Sequence, residues 1–407
     1  MKNYIKNSVI NVDGKTYLKL LIVIAPLLNF LSGIAPDLYV PSMPSIANYY
    51  STSIFLVENT ITTFFAGFAI GCLIFGILID IYGRKKIIIL GLLGFNLANI
   101  AIIYCQSIEQ FIVIRFIQGV MVSVVSIGSR AIILDAFSSY KYNVALLYTS
   151  IAYGIGPVIA PFIGGILQYK FGWQANFLAY LAFGTTFLLI FVLYFKESIV
   201  TVNSFSFRRV TLAYSTVLRN STFIVSILIN SCSKTILIVY ATIGPFIIEN
   251  TMHDSPIAFG NTALLISLAF LLGALTSRFF MDKLNLHSLT QIGFVILIIS
   301  SILQNLLTIY FKLNMFTILI PIVIICYSQG FIYPNVLARG LKIFPNNAGI
   351  AVSLMTCLIM LISAFGVWII SYIKINGLIN LTALFTILIT LQTGIFYIYL
   401  KPETQNS

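Results

Sequence analysis

Among the residues that carry charge where the surroundings are hydrocarbon-like, Asp37, Arg115 and Lys234 stand out, with Arg130 and Asp135 at the inner end of the fourth segment. A charged side chain in lipid costs at least about 2.5–3.5 kcal/mol on insertion scales, so each needs a reason to be there. Asp37 stands in APDLYVPSMPSI, near the outer end of the first long apolar segment, where Pro36, Pro41 and Pro44 kink or loosen a helix. A carboxylate in a low-dielectric pocket has its charged form disfavoured, and it then holds and releases a proton near neutral pH. The plainer alternative is an acid reaching to the water boundary. Arg115, in IRFIQGV, lies at a similar depth in the fourth segment. A guanidinium stays charged, so it serves either as a fixed cation that biases the protonation of a partner such as Asp37 or as half of a structural ion pair. Lys234, in NSCSKTILIVY, sits mid-way along the seventh segment. At 1.5 Å per residue it is displaced from Asp37 by roughly 10 Å in depth, so the two are not expected to pair. An anionic substrate group, another acid or backbone carbonyls are its three candidate partners.

Two further stretches have unusual chemistry. GILIDIYGRKK packs Gly76, Asp80, Gly83, Arg84, Lys85 and Lys86 into a turn between the second and third segments. Arg130 and Asp135 close the fourth segment at the same side. They either join Asp80 and Arg84 in a charge network or form an ordinary solvated helix end. YGIGPVIAPFIGGIL places Gly154, Gly156, Gly164 and Gly165 beside Pro157 and Pro161 in the fifth segment. Glycines let helices approach closely and proline bends them, which suits an element that moves between two states.

The elements that position these groups follow from composition. The chain has 407 residues, 59% hydrophobic and only 8% charged, against about 25% charged in ordinary soluble domains. Twelve apolar segments are expected, over 18–40, 56–79, 87–105, 109–135, 143–168, 173–195, 222–249, 259–280, 288–311, 315–341, 348–373 and 378–400. Most exceed the roughly 20 residues that span a bilayer. Backbone groups in lipid must be satisfied internally, so these are helices; a membrane barrel's alternating pattern is absent. The polar gap Lys196–Asn220 implies an N-terminal six-helix half over 1–195, a cytoplasmic linker over 196–220 and a C-terminal half over 221–407. A weak echo of the charged turn, Gly273, Arg278, Asp282 and Lys283, follows the eighth segment.

Of 23 lysines and arginines, seventeen fall on one side of this layout, among them Lys2, Lys6, Lys19, Arg208, Arg209 and Lys401. Only Lys170, Lys312 and Lys374 fall on the other, which places both termini in the cytoplasm. The net charge of +12 is thereby a topology signal near anionic lipid rather than a nucleic-acid surface. Five cysteines, all inside apolar runs and without CxxC spacing, read as packing residues, so no metal site is expected. The N-terminus lacks the shape of a cleavable signal. With two histidines, His253 and His287, and no nucleophile–base constellation, an enzyme is not expected. A non-transporting membrane sensor would carry an additional soluble domain or long loop.

These motifs together resemble the major facilitator superfamily. Gly76, Asp80, Gly83 and Arg84 match its loop between helices 2 and 3, and Arg115, Gln118 and Gly119 match its helix 4 motif. Gly154, Gly156, Pro157, Gly164 and Gly165 match the helix 5 motif of drug/proton antiporters. PDLYVPSMPSI and YPNVLARGLKIFPNNAGIAVSLM, with Pro334, Pro345 and Ala348–Gly349, look like the bicyclomycin-resistance (Bcr/CflA) drug-efflux family. The resemblance implies a multi-pass protein of the bacterial inner membrane, working as a monomer and without a cofactor. It would export small molecules in exchange for protons by alternating access. Asp37 would be the proton-linked acid and Arg115 its partner. Asp37, Gln118 and Lys234 would contribute to the substrate cavity, and Asp80, Arg84, Arg130 and Asp135 to an inner gate. A proton-coupled metabolite transporter of the same fold, either an uptake symporter or an exporter, is the alternative.

Overall fold

In the computed structural model, residues 14–137, 139–197, 215–344, 348–373 and 378–399 are described. Lys2, Lys6, Arg208, Arg209, Pro345, Lys374 and Lys401, singled out above, lie outside them, as does most of the polar gap. The described chain is all α-helical. Two compact units are present, Met1–Ser206 and Phe207–Ser407. In the first, the helices are α1 (Gly14–Ile34), the short α2 (Met43–Tyr49), α3 (Ile54–Tyr82), α4 (Arg84–Tyr104), α5 (Ile108–Ala136), α6 (Ser139–Phe171) and α7 (Gln174–Tyr194). In the second they are α8 (Ser221–Phe246), α9 (Pro256–Phe280), α10 (Leu286–Tyr310), α11 (Met315–Lys342), α12 (Ala348–Ser371) and α13 (Leu378–Tyr399). Twelve of these are long and apolar enough to cross a membrane; α2 is not.

Helix starts follow from local chemistry. Ser53, Ser107, Asn220, Ser255, Asn285 and Asn314 each accept a hydrogen bond from the backbone N–H three residues on. This satisfies donors that a helix's first turn leaves without intrahelical partners. One expected boundary moves. The first segment, read as 18–40, stops being α-helical at Ile34, and Asp37 lies in a turn that leads into a 3-10 turn over Val40–Ser42. Pro36 and Pro41 account for this, because each lacks the N–H that a continuing helix needs. The seventh segment ends in a π-helical turn, Ile247–Thr251, just after Pro245.

Packing inside each unit rests on glycines at helix crossings. A Cβ added to Gly67 of α3 would collide with the Phe116 carbonyl of α5, and one added to Gly119 of α5 with the Phe64 carbonyl of α3. The second unit repeats the arrangement. Gly273 of α9 faces the Tyr327 carbonyl of α11, and Gly330 of α11 faces the Phe270 carbonyl of α9. In all four helices an aromatic residue precedes the glycine by three positions. Small residues at such crossings let backbones touch, which is how helices associate where no hydrophobic force acts between them.

Gly119→Leu is therefore expected to abolish monodisperse protein in fluorescence-detected size exclusion. Gly76→Ala, where an added Cβ meets nothing within 4 Å, is expected to leave the elution profile unchanged. Equal behaviour of the two variants would contradict this packing account.

Candidate functional site

The Arg115 guanidinium, on α5, has no solvent exposure. Its Nη1 donates to Gln118 Oε1 one turn on, and Gln118 Nε2 donates to Asn99 Oδ1 of α4 at 2.7 Å. Asn99 in turn donates back to the Phe95 carbonyl at 2.8 Å. The guanidinium lies over the rings of Tyr39 and Phe64, whose centroids are 4.2 and 4.3 Å from its central carbon. Each desolvated cation–π contact of this kind is worth about 2 kcal/mol. Nε and Nη2 have no hydrogen-bond partner among the described residues. The cation is thus held by one amide and two rings, with two donors left over.

Asp37, half-buried, belongs to the same neighbourhood: Tyr39 and Tyr180 each interact electrostatically with both Asp37 and Arg115. The turn that carries Asp37 is fixed from several sides. Tyr39 Oη bonds Thr60 Oγ1 of α3 at 2.6 Å, and Tyr180 Oη of α7 donates to the Ala35 carbonyl at 2.8 Å. Asn176 Nδ2 of α7 donates to Ser42 Oγ, and Gln168 Nε2 of α6 to Ser45 Oγ, both at 2.6 Å. The α6 glycines bring that helix onto the same turn. Gly156 lies against Gly33 of α1, and Gly164 lies so close to the Leu38 carbonyl that no side chain fits between them. Gly165 is buried, whereas an added Cβ at Gly154 would meet nothing within 4 Å. Pro157 and Pro161 are both inside α6.

The charged turn forms a compact network. Arg84 donates to Asp80 through Nη1 and to Asp135 through Nε, the latter at 3.0 Å. Arg130, half-buried, has no hydrogen bond or ion pair to the described residues. Asp80 is largely exposed and Asp135 mostly covered, so the second bond is the less screened. The sequence reading did not include Glu197, three residues beyond α7. Its carboxylate accepts from the Arg84 and Lys85 backbone N–H groups at 2.9 and 3.0 Å, an anion seated on the start of α4. Gly83 makes room for it. With φ +98° it occupies backbone space that side chains rarely adopt, and an added Cβ would lie 2.6 Å from Glu197 Oε2.

Lys234 lies on α8, half-buried. Other functional-looking groups also escaped the sequence reading. Glu58 of α3 is buried, and on the same helix Asn59 Oδ1 and Thr62 Oγ1 are buried with no hydrogen-bond partner among the described residues. Asn230 of α8 is fully buried with neither amide atom bonded. No group of His, Cys, Asp and Glu among the described residues has the geometry to hold a metal ion.

A family model described as Major Facilitator Superfamily matches residues 27–399. The chain belongs to the major facilitator superfamily. Members of this family and fold are transporters, not enzymes. Relatives of this superfamily member include a "Multidrug resistance protein MdtL" of Shewanella oneidensis, 27% identical over 365 residues and covering 88% of each chain. An uncharacterized transporter of Rickettsia bellii is 23% identical over 377 residues, covering 90% of this chain and 93% of its own. A "Bicyclomycin resistance protein homolog" of Haemophilus influenzae is 32% identical over 151 residues, 37% of this chain and 38% of its own. Among solved structures, a D-xylose–proton symporter superposes with a TM-score of 0.79 at 14% identity, covering 96% of this chain and 99% of its own. At that identity the likeness establishes the fold alone.

Glu197→Ala is expected to lower the melting temperature in detergent by a few degrees, in line with the 1–2 kcal/mol of a helix cap. It should also speed hydrogen exchange at the Arg84 and Lys85 amides. Unchanged exchange there would mean that the carboxylate does not hold the helix start in solution.

Proposed function

We propose that this transporter exports small molecules across the bacterial inner membrane in exchange for protons, with both termini in the cytoplasm. The observation that carries the reading is the fully buried Arg115, with two unbonded donors, in the same tyrosine shell as Asp37. A guanidinium is a fixed cation by its chemistry. Protonation of Asp37 changes the local charge balance from an acid–base pair to a lone cation. That difference favours one conformation over another, and substrate favours the opposite one. The linkage between proton and substrate is reciprocal, which is what exchange requires.

The surrounding architecture suits this role. The Asp37 turn is clamped by α3, α6 and α7, so a change of charge there is transmitted into backbone rather than absorbed by a loose loop. The α6 glycines rest directly on that turn and on α1, as an element that rocks against them would. We assign the Asp80–Arg84–Asp135 network, braced by Glu197, to a clasp that opens and closes the cytoplasmic side. In this scheme the chain works as two six-helix halves, 1–195 and 221–407, joined by a 196–220 linker, with Asp37 and Gln118 of the first and Lys234 of the second contributing to substrate binding. One chain is a complete transport unit in this scheme. Relatives named as multidrug resistance proteins favour export over uptake.

In everted membrane vesicles with an acidified interior, addition of a transported drug should partly dissipate the pH gradient seen by a pH-sensitive dye. Asp37→Asn should abolish the response, and Arg115→Lys should reduce it at least tenfold. Equal dissipation by native and Asp37→Asn protein would place the proton site elsewhere. Gradient-driven uptake of a nutrient, with no drug response, would favour the metabolite-transport alternative.

A further inference from the structure

Among the described asparagines, Asn230 stands out for a buried side chain with both amide atoms unbonded. Three other helical asparagines turn their amide back onto the carbonyl four residues earlier: Asn99 to Phe95, Asn305 to Ser301 and Asn335 to Phe331, at 2.7–2.8 Å. Asn230, with no exposure at all, does not do this, and neither its Nδ2 nor its Oδ1 has a partner among the described residues. A buried amide left unbonded is costly, so a sequence that keeps one gains something from it.

The backbone on either side of Asn230 is pinned. Gln392 of α13 donates to Ser233 Oγ at 2.7 Å and to the Ile229 carbonyl at 3.3 Å, and is itself bonded by Gln329 of α11 at 3.0 Å. On another face, Ser363 of α12 donates to the Ser231 carbonyl at 3.1 Å. At 100° per residue, Ile229 and Ser233 point one way and Ser231 and Thr235 another. Asn230 and Lys234 share a third face, one turn apart. Every other hydroxyl of that turn is satisfied within the protein: Ser231 bonds the Ile227 carbonyl, Ser233 the Ile229 carbonyl and Thr235 the Ser231 carbonyl. The one amide kept open is held on a rigid stretch, beside a cation.

We propose that Asn230, with Lys234 one turn away, is a recognition subsite in the second unit for the neutral amide or hydroxyl part of an uncharged or anionic substrate. This rests on the efflux reading above and names the substrate class for it. The carboxamide offers a donor and an acceptor together, so it pairs with a group that presents both. The neighbouring ammonium disfavours lipophilic cations.

The test uses the purified full chain, with chloramphenicol as the neutral amide probe and tetraphenylphosphonium as the cationic one. Asn230→Leu should weaken chloramphenicol binding by about 5- to 150-fold, the loss that corresponds to roughly one to three kcal/mol of hydrogen bonding. The ligand-free variant should melt at the native temperature or above it, because an unbonded buried amide has been removed. Undiminished chloramphenicol binding would overturn the proposal. So would a variant that melts several degrees lower, which would make Asn230 a structural residue bonded through water. Native protein that binds tetraphenylphosphonium but not chloramphenicol would overturn the substrate class and leave the efflux reading standing. Binding and export of neither would remove the efflux reading and this inference with it.

Discussion

A guanidinium with no access to water is the constraint around which the first unit is built. The hydration that Arg115 loses has to be replaced by the protein, and the means of replacement are spread over three helices and a turn. Gln118 takes one donor and is itself fixed by Asn99 on α4. Tyr39 and Phe64 supply the electron-rich faces. Tyr39 reaches Arg115 only because α1 stops at Ile34 and the chain turns, and that turn persists because α3, α6 and α7 each bond to it. The prolines that end α1 early thus leave a turn that serves the cation, and the same turn carries Asp37.

The second unit has the same scaffold without the same charge. Both units cross two helices through an aromatic-x-x-glycine step on each, at Gly67 with Gly119 and at Gly273 with Gly330. In both, a glutamine precedes the second glycine: Gln118 and Gln329. Gln118 serves the arginine, whereas Gln329 pairs with Gln392 in a neutral amide cluster beneath Asn230. The two halves have thus diverged in chemistry at matched positions, one toward a fixed cation beside an acid, the other toward hydrogen bonding.

Much of this was legible in the sequence, and the reasons are physical. Hydropathy at this length leaves helices as the only solution, and the twelve spans follow. Asp80, Arg84 and Asp135 lie together at adjoining helix ends, whereas Arg130, which the sequence offered for the same network, has no hydrogen bond or ion pair to the described residues. What the sequence hid were contacts closed by distant chain. Glu197 lies 113 residues from the N–H it caps, and no local pattern marks a carboxylate as the cap of a helix so far away. Tyr39 and Phe64 could not be told from ordinary aromatics among 22 tyrosines and 33 phenylalanines. The aromatic-x-x-glycine repeat was readable, but only a crossing geometry gives it meaning. Asn230 could not be found by residue type at all, because the informative fact is the bond it does not make.

The central claim is that substrate binding and proton binding at Asp37 are linked through the charge of Arg115. The most direct measurement is proton release from purified protein in weakly buffered detergent solution on addition of a transported drug, followed with a pH indicator. The account predicts release from native protein and none from Asp37→Asn, with drug binding retained in both. Release of the same size from Asp37→Asn would contradict it.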